Sequence, residues 1–147
     1  MLRQKRRVEP SEWRSISDRP RVLVENHDPA VGMAVQILLM EEGFEVAYCS
    51  GPGETVGRCP LVHDGVCSRA AEADVIFTSL HLGDNKHREI VSGLRRHFSD
   101  TPVVVELPAP KVSQYEDLLV GCEVVTKPVT RDRLVVAIRR ALGGVEA

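Results

Sequence analysis

The chain has 147 residues, with 19 Lys and Arg against 21 Asp and Glu, 43% hydrophobic and 4% aromatic residues, which is the balance of one ordinary soluble domain and excludes general disorder. No apolar run approaches the roughly 18 residues of a membrane span, and the basic start has no apolar stretch behind it to act as a signal peptide, so a cytoplasmic protein is expected. The net charge of −2 conceals an asymmetry, because residues 1–21 hold seven basic and three acidic side chains (+4), leaving −6 on residues 22–147, a poor surface for nucleic acid. A domain of this size buries about two-thirds of its unfolded surface, so its four cysteines are not needed as disulfide staples.

Residues 1–20 carry charge, two prolines and Trp13 without apolar periodicity, and they read as a basic extension that is flexible or docks through Trp13. Arg21-Val-Leu-Val-Glu25 reads as a first strand, and Asp28-Pro29 follows as a helix N-cap with proline in the first helical position. Val31, Val35, Leu38 and Leu39 then recur at helical spacing as an inward face, with Gly43 placed to end the helix. Phe44 to Cys49 reads as a second strand, and the apolar run Ala73 to Ser79 as a third, buried on both faces of a parallel sheet.

Asn85 to His97 predicts a helix with Ile90, Val91 and Leu94 inward, Thr101 to Leu107 a fourth strand, and Lys111 to Val120 a weaker helix. Glu123 to Thr126 predicts a fifth strand, and Thr130 caps a last helix carrying Leu134, Val135, Ile138 and Leu142, ended by Gly143 and Gly144. Five strands alternating with helices predict a doubly wound α/β domain over 21–144, followed by a short tail at 145–147, with its functional crevice at the carboxyl ends of the strands.

With these elements in place, the chain resembles the receiver domain of bacterial two-component response regulators over about residues 21–144. The resemblance is carried by Arg21-Val-Leu-Val-Glu-Asn-His-Asp-Pro29, by Asp74-Val-Ile-Phe-Thr-Ser-Leu80, by Thr101-Pro-Val-Val-Val105 and by Thr126-Lys-Pro-Val129. It implies a flavodoxin-like five-stranded parallel sheet in the order 2-1-3-4-5.

The resemblance also implies where a receiver's chemistry would lie. Two acidic residues after the first strand hold Mg²⁺ in the family; here those positions are Asn26 and His27, an amide and an imidazole that suit a hard cation badly, with Glu25 or Asp28 as partial substitutes if the register is one residue off. The phosphate-accepting aspartate falls on Ser79, whose hydroxyl cannot form an acyl phosphate. The switch hydroxyl at the end of the fourth strand falls on Leu107, and the aromatic switch residue falls near Val124. Lys127, followed by Pro128, is retained. The implied state is a degenerate receiver, or pseudo-receiver, in which Asn26, His27, Ser79 and Lys127 line a neutral hydrogen-bonded pocket. A Ser79 nucleophile is disfavoured because no G-x-S-x-G elbow surrounds it.

Between the second and third strands, residues 50–72 form a glycine-rich, Cys-rich insertion expected to be irregular and to replace or enlarge the second helix. Cys49-x₉-Cys59-x₃-His63-x₃-Cys67 offers three thiols and an imidazole within nineteen residues, the donor set of a Cys₃His zinc site, although not in paired C-x₂-C spacing. A reversible Cys59–Cys67 disulfide and unliganded cysteines are the competing readings, and Cys122 reads as core filling.

The expected function is signalling by a stand-alone, phosphorylation-independent receiver-like protein. It would act without catalysis and without a small-molecule substrate, docking another protein or a second copy through residues 111–142. The chain stops within three residues of Gly144, so output is expected from a partner. A metal- or redox-responsive switch in the Cys49–Cys67 segment is the alternative, and a working phosphorelay receiver is the weaker rival.

Overall fold

Arg21–Asn26 forms β1, whose residues alternate between two apolar layers: Val22 and Val24 enter one cluster, and Leu23 enters the other. The computed structural model describes residues 13, 18–49, 67–79, 85–127 and 129–143, with backbone alone at 68 and 85–87. After β1 come α1 (Pro29–Glu41), β2 (Glu45–Cys49), α2 (Ser68–Ala71), β3 (Val75–Ser79) and α3 (Asn85–His97). They are followed by β4 (Val103–Pro108), α4 (Ala109–Val112), a 3₁₀ turn (Ser113–Tyr115), α5 (Glu116–Leu119), β5 (Glu123–Lys127) and α6 (Arg131–Ala141). All four strand pairs are parallel, and the sheet order is β2-β1-β3-β4-β5, the expected 2-1-3-4-5.

The sheet is buried on both faces, as its continuous apolar strands require. On one face Leu23, Ala47, Ile76, Val103 and Val105 pack with Ile90, Val91 and Leu94 of α3, and the cluster also takes in Ala70 of α2 and Trp13. On the other, Val24, Val46, Val75, Phe77 and Val104 pack with Leu39 of α1 and Leu134, Ala137 and Ile138 of α6. Phe77 and Leu23 are fully buried, each worth about 1.5–3 kcal/mol of transfer free energy.

Local signals set the element ends. The Asp28 carboxylate accepts from the Ala30 and Val31 N–H groups at 3.0 and 3.4 Å, so the expected N-cap forms. Gly43, at φ +99°, makes the left-handed turn that ends α1, with Phe44 N–H donating to the Leu39 carbonyl at 3.1 Å. Thr130 caps α6 by accepting from the Arg133 N–H.

Three expectations need correction. Val31 is 46% exposed, so the inward line of α1 runs through Gly32, Val35 and Leu39 instead. The cause is Tyr48: its ring lies against Gly32, where a Cβ would overlap it, and this draws the glycine edge of the helix onto the sheet. The helix expected over Lys111–Val120 is broken into three short pieces, because Val112, Tyr115 and Leu118 recur every third residue, the period of a 3₁₀ turn, and pack together on the first cluster. The segment expected to be irregular through residue 72 contains one helical turn, Ser68–Ala71, held by the complete burial of Ala70; residues 50–66 lie outside the described residues.

Trp13 fastens the extension to the domain. Trp13 is buried in the first cluster, its indole N–H donates to the Arg69 carbonyl at 3.1 Å, and the Arg21 guanidinium lies 5.6 Å from the ring centroid. Residues 1–12 and 14–17 lie outside the described residues.

Candidate functional site

Parallel α/β sheets gather their functional groups at the carboxyl ends of the strands, and here that end is made by the last residues of β1 and β3. Asn26 and Ser79 are register partners and each is 2% exposed. The Asn26 side-chain carbonyl accepts from the Asp28 N–H at 2.8 Å, which shapes the turn into α1 while the Asp28 Oδ1 caps the helix. The Tyr48 hydroxyl donates to the Asn26 backbone carbonyl at 2.8 Å, so β2 braces the same turn from the side. His27 and Lys127 are at the surface, Leu107 is buried, and Pro128 lies outside the described residues.

One row back, Glu25 is the register partner of Thr78 on one side and of Cys49 on the other. Strand alternation turns this row toward the first cluster, away from Asn26 and Ser79. Glu25 and Thr78 are buried, and both Glu25 Oε1 and Thr78 Oγ1 are buried without a hydrogen-bond partner. Burial pushes the Glu25 carboxyl up to about 7, so near neutrality it carries a proton much of the time. A protonated carboxyl is a donor as well as an acceptor and is far cheaper to hold in an apolar layer than a carboxylate.

Of the residues singled out from sequence, the structure brings Asn26 and Ser79 together and keeps His27 and Lys127 exposed. Glu25, named from sequence only as a possible stand-in if the register slipped, lies in the row that faces the opposite side of the sheet from Asn26 and Ser79. The roles of Thr78 and Tyr48 were not foreseen. A signal for the first existed, since Glu25 interrupts an otherwise apolar strand. Tyr48 gave none, because its partners are Gly32 and a backbone carbonyl far along the chain.

Cys59 and His63 lie outside the described residues. Cys49 and Cys67 are each half-buried and packed against the first cluster, and Cys122 packs there too, as core filling. Burial pushes the Cys122 thiol up, with nearby Arg95 acting in the opposite sense. Among the described residues there is no group of three or more His, Cys, Asp or Glu side chains placed to hold a metal ion. No helix among them is long and apolar enough to cross a membrane. A cleft of about 800 Å³ opens at the opposite end of the sheet, lined by Pro20, Phe44, Asp74, Pro102 and Arg139 among others.

No family model matches the chain, and no curated protein matches it in sequence. Solved structures do resemble it. A response regulator receiver domain protein from Clostridium thermocellum superposes with a TM-score of 0.66 at 19% identity, over 84% of this chain and 94% of that one. The chemotaxis response regulator CheY4 of Vibrio cholerae gives 0.63 at 19% identity, over 84% and 98%. The signal receiver domain of an HD domain-containing protein from Pseudomonas fluorescens Pf-5 gives 0.65 at 15% identity, over 90% and 93%. At these identities the likeness is one of fold: the chain has the architecture of receiver domains.

Proposed function

We propose that this chain is a pseudo-receiver, a signalling module that works by binding another protein and not by taking up a phosphoryl group. The observation that carries the reading is the Asn26–Ser79 pair. The two strand ends around which the fold gathers its chemistry present an amide and a hydroxyl, both 2% exposed, where acyl-phosphate chemistry needs carboxylates.

The residues present do not fit Mg²⁺, which demands several oxygen ligands in near-octahedral geometry. The Asn26 oxygen is engaged by the Asp28 N–H, an Asp28 oxygen by the start of α1, and Glu25 belongs to the other face of the sheet. Strand ends that bury an amide and a hydroxyl in place of carboxylates favour function through surfaces. The stretch 111–142 supplies one for a partner or a second copy, with Val120 and Val136 exposed on it. No catalytic step and no small-molecule substrate belong to this reading, and the protein acts in the cytoplasm.

Incubation of the full chain with acetyl phosphate and Mg²⁺, followed by intact-mass spectrometry, tests it. The expected result is an unchanged mass. A stable single phosphoryl adduct that disappears in Ser79→Ala would overturn the reading and restore a phosphorelay receiver.

A second reading rests on Cys49 and Cys67, which pack against the same apolar cluster at the two ends of the Cys/His segment. With Cys59 and His63 they supply the donors of a zinc site or a thiol switch. Elemental analysis of untagged protein decides: one zinc per chain, lost in Cys59→Ser, favours the metal reading, and metal-free protein with freely titrating thiols removes it.

A further inference from the structure

Trp13 precedes β1, yet the place it occupies is built by residues that follow it in the chain. It is 6% exposed, in the cluster that holds Leu23 of β1, Ala47 of β2, Ala70 of α2 and Ala73. The indole N–H donates to the Arg69 carbonyl at 3.1 Å, and the Arg21 guanidinium stands 5.6 Å from the ring centroid. An aromatic ring with a polar handle is thus met by an apolar layer, an acceptor and a cation.

The domain holds the acceptor and the cation by contacts of its own. The Arg69 carbonyl belongs to α2, whose turn is closed by the Ala71 N–H on the Cys67 carbonyl at 2.9 Å and followed by the Ala73 N–H on the Ala70 carbonyl at 3.2 Å. Arg21 opens β1: its N–H donates to Asp74 Oδ2 at 2.8 Å, and its guanidinium reaches Glu45 at 3.6 Å and Glu72 at 3.8 Å. Ion pairs this near water add little stability, but they favour one placement of the charge. Such preorganisation is what a binding site needs, because little ordering is left to be done when a ring enters. A ring without an N–H would cover the Arg69 carbonyl and leave it without its donor, so the recess selects indole over a hydrocarbon ring.

We infer that this recess is a binding site for an indole ring, and that Trp13 is its tethered, displaceable occupant. An indole from a small molecule or from a tryptophan of another protein offers the same groups to Arg69 and Arg21. In the intact chain it competes with a ring joined to Asp18 through four residues, a tether that sets an effective concentration on the order of mM. The amino-terminal extension therefore sets the threshold at which the site fills. This goes beyond the function proposed above: the recess lies at the amino end of β1, outside residues 111–142, and the inference holds whether or not Ser79 accepts a phosphoryl group.

The test uses the full chain carrying Trp13→Ala, which has no tryptophan, so the emission of an added indole is the reporter. Free indole, N-methylindole and a synthetic peptide of residues 8–18 are titrated into the variant and into wild type, with calorimetry and amide NMR shifts beside fluorescence. The expected result is saturable, blue-shifted binding to the variant with shifts centred on residues 69–73. Affinity should be about tenfold or more lower in wild type and about fivefold or more lower for N-methylindole. Binding of free indole supports a small-molecule source, and binding of the peptide alone supports the same site with a protein's tryptophan as its source. Absence of binding by both, equal affinity of variant and wild type, equal affinity for N-methylindole, or shifts centred elsewhere overturns the inference. If Trp13→Ala is unfolded, saturating indole should restore its circular dichroism spectrum, and failure to restore it overturns the inference equally.

Discussion

Replacing Glu25 by glutamine keeps the shape of a buried side chain and removes its titration. In the unfolded chain the carboxyl titrates near 4.5, and in the fold burial moves it up to about 7. Between those values the folded protein keeps a proton that the unfolded chain has released, so stability falls as the pH rises through this window. Below about pH 4.5 both states are protonated and the loss is nil; above about pH 7 it is complete. The gap of about 2.5, at 1.36 kcal/mol for each unit, amounts to about 3 kcal/mol as an upper figure. For a chain of this size that is roughly 6–12 °C in melting temperature.

Other groups titrate over the same range, so the informative quantity is the difference between wild type and Glu25→Gln. Urea unfolding followed by circular dichroism from pH 4.5 to pH 8 supplies it. The amide brings its own pH-independent cost, which offsets the two curves by a constant. The variant should gain on the wild type steadily with rising pH, up to about 3 kcal/mol. A difference that does not change with pH would falsify the assignment of a buried, proton-binding carboxyl at this position.

The neighbouring hydroxyl gives a companion case: Thr78→Val removes a buried oxygen that has no partner while keeping the side-chain shape, and should leave stability unchanged or raise it by about 1 kcal/mol in the same urea experiment. A loss of that size would mean the hydroxyl is bonded in solution. Gly32→Ala places a methyl where the Tyr48 ring lies and should cost about 1–3 kcal/mol. Combining it with Tyr48→Ala should recover part of that cost, and additive losses in calorimetry would rule out the overlap as its cause. Asp28→Ala removes the cap of α1 and should cost about 1 kcal/mol, whereas Asp28→Asn should restore most of it. Equal losses in the two variants would point to charge instead of capping.

The sheet and most helix boundaries were legible because they depend on neighbours in sequence. Asp28-Pro29, Gly43 and Thr130 mark helix ends by local chemistry, and each acts as expected. Buried parallel strands announce themselves as apolar runs, and the receiver-like order of four segments arranged them. What stayed hidden depends on partners remote along the chain. The inward face of α1 is decided by the Tyr48 ring, not by the helix's own periodicity, so Val31 was wrongly placed. The breaking of Ala109–Leu119 follows from a three-residue recurrence that also fits an irregular α-helix. At the crevice, sequence supplied the positions of Asn26 and Ser79, but only the strand register shows that Glu25 and Thr78 form a second polar row behind them.

Trp13 is the chain's one tryptophan, so fluorescence excited to the red of the absorption of its two tyrosines has a single source. Its side chain is buried in the cluster that holds Ala70 and Ala73, on the α2–α3 side of the sheet, and its indole N–H donates to the Arg69 carbonyl, while α1 covers the other side. Emission should therefore be blue-shifted in the native protein and move to the red when the extension detaches, even with the sheet intact. The same placement makes the signal nearly blind to a molecule settling on α1, so the indole serves as a gauge of how the amino-terminal extension is attached and as a silent control for events across the sheet.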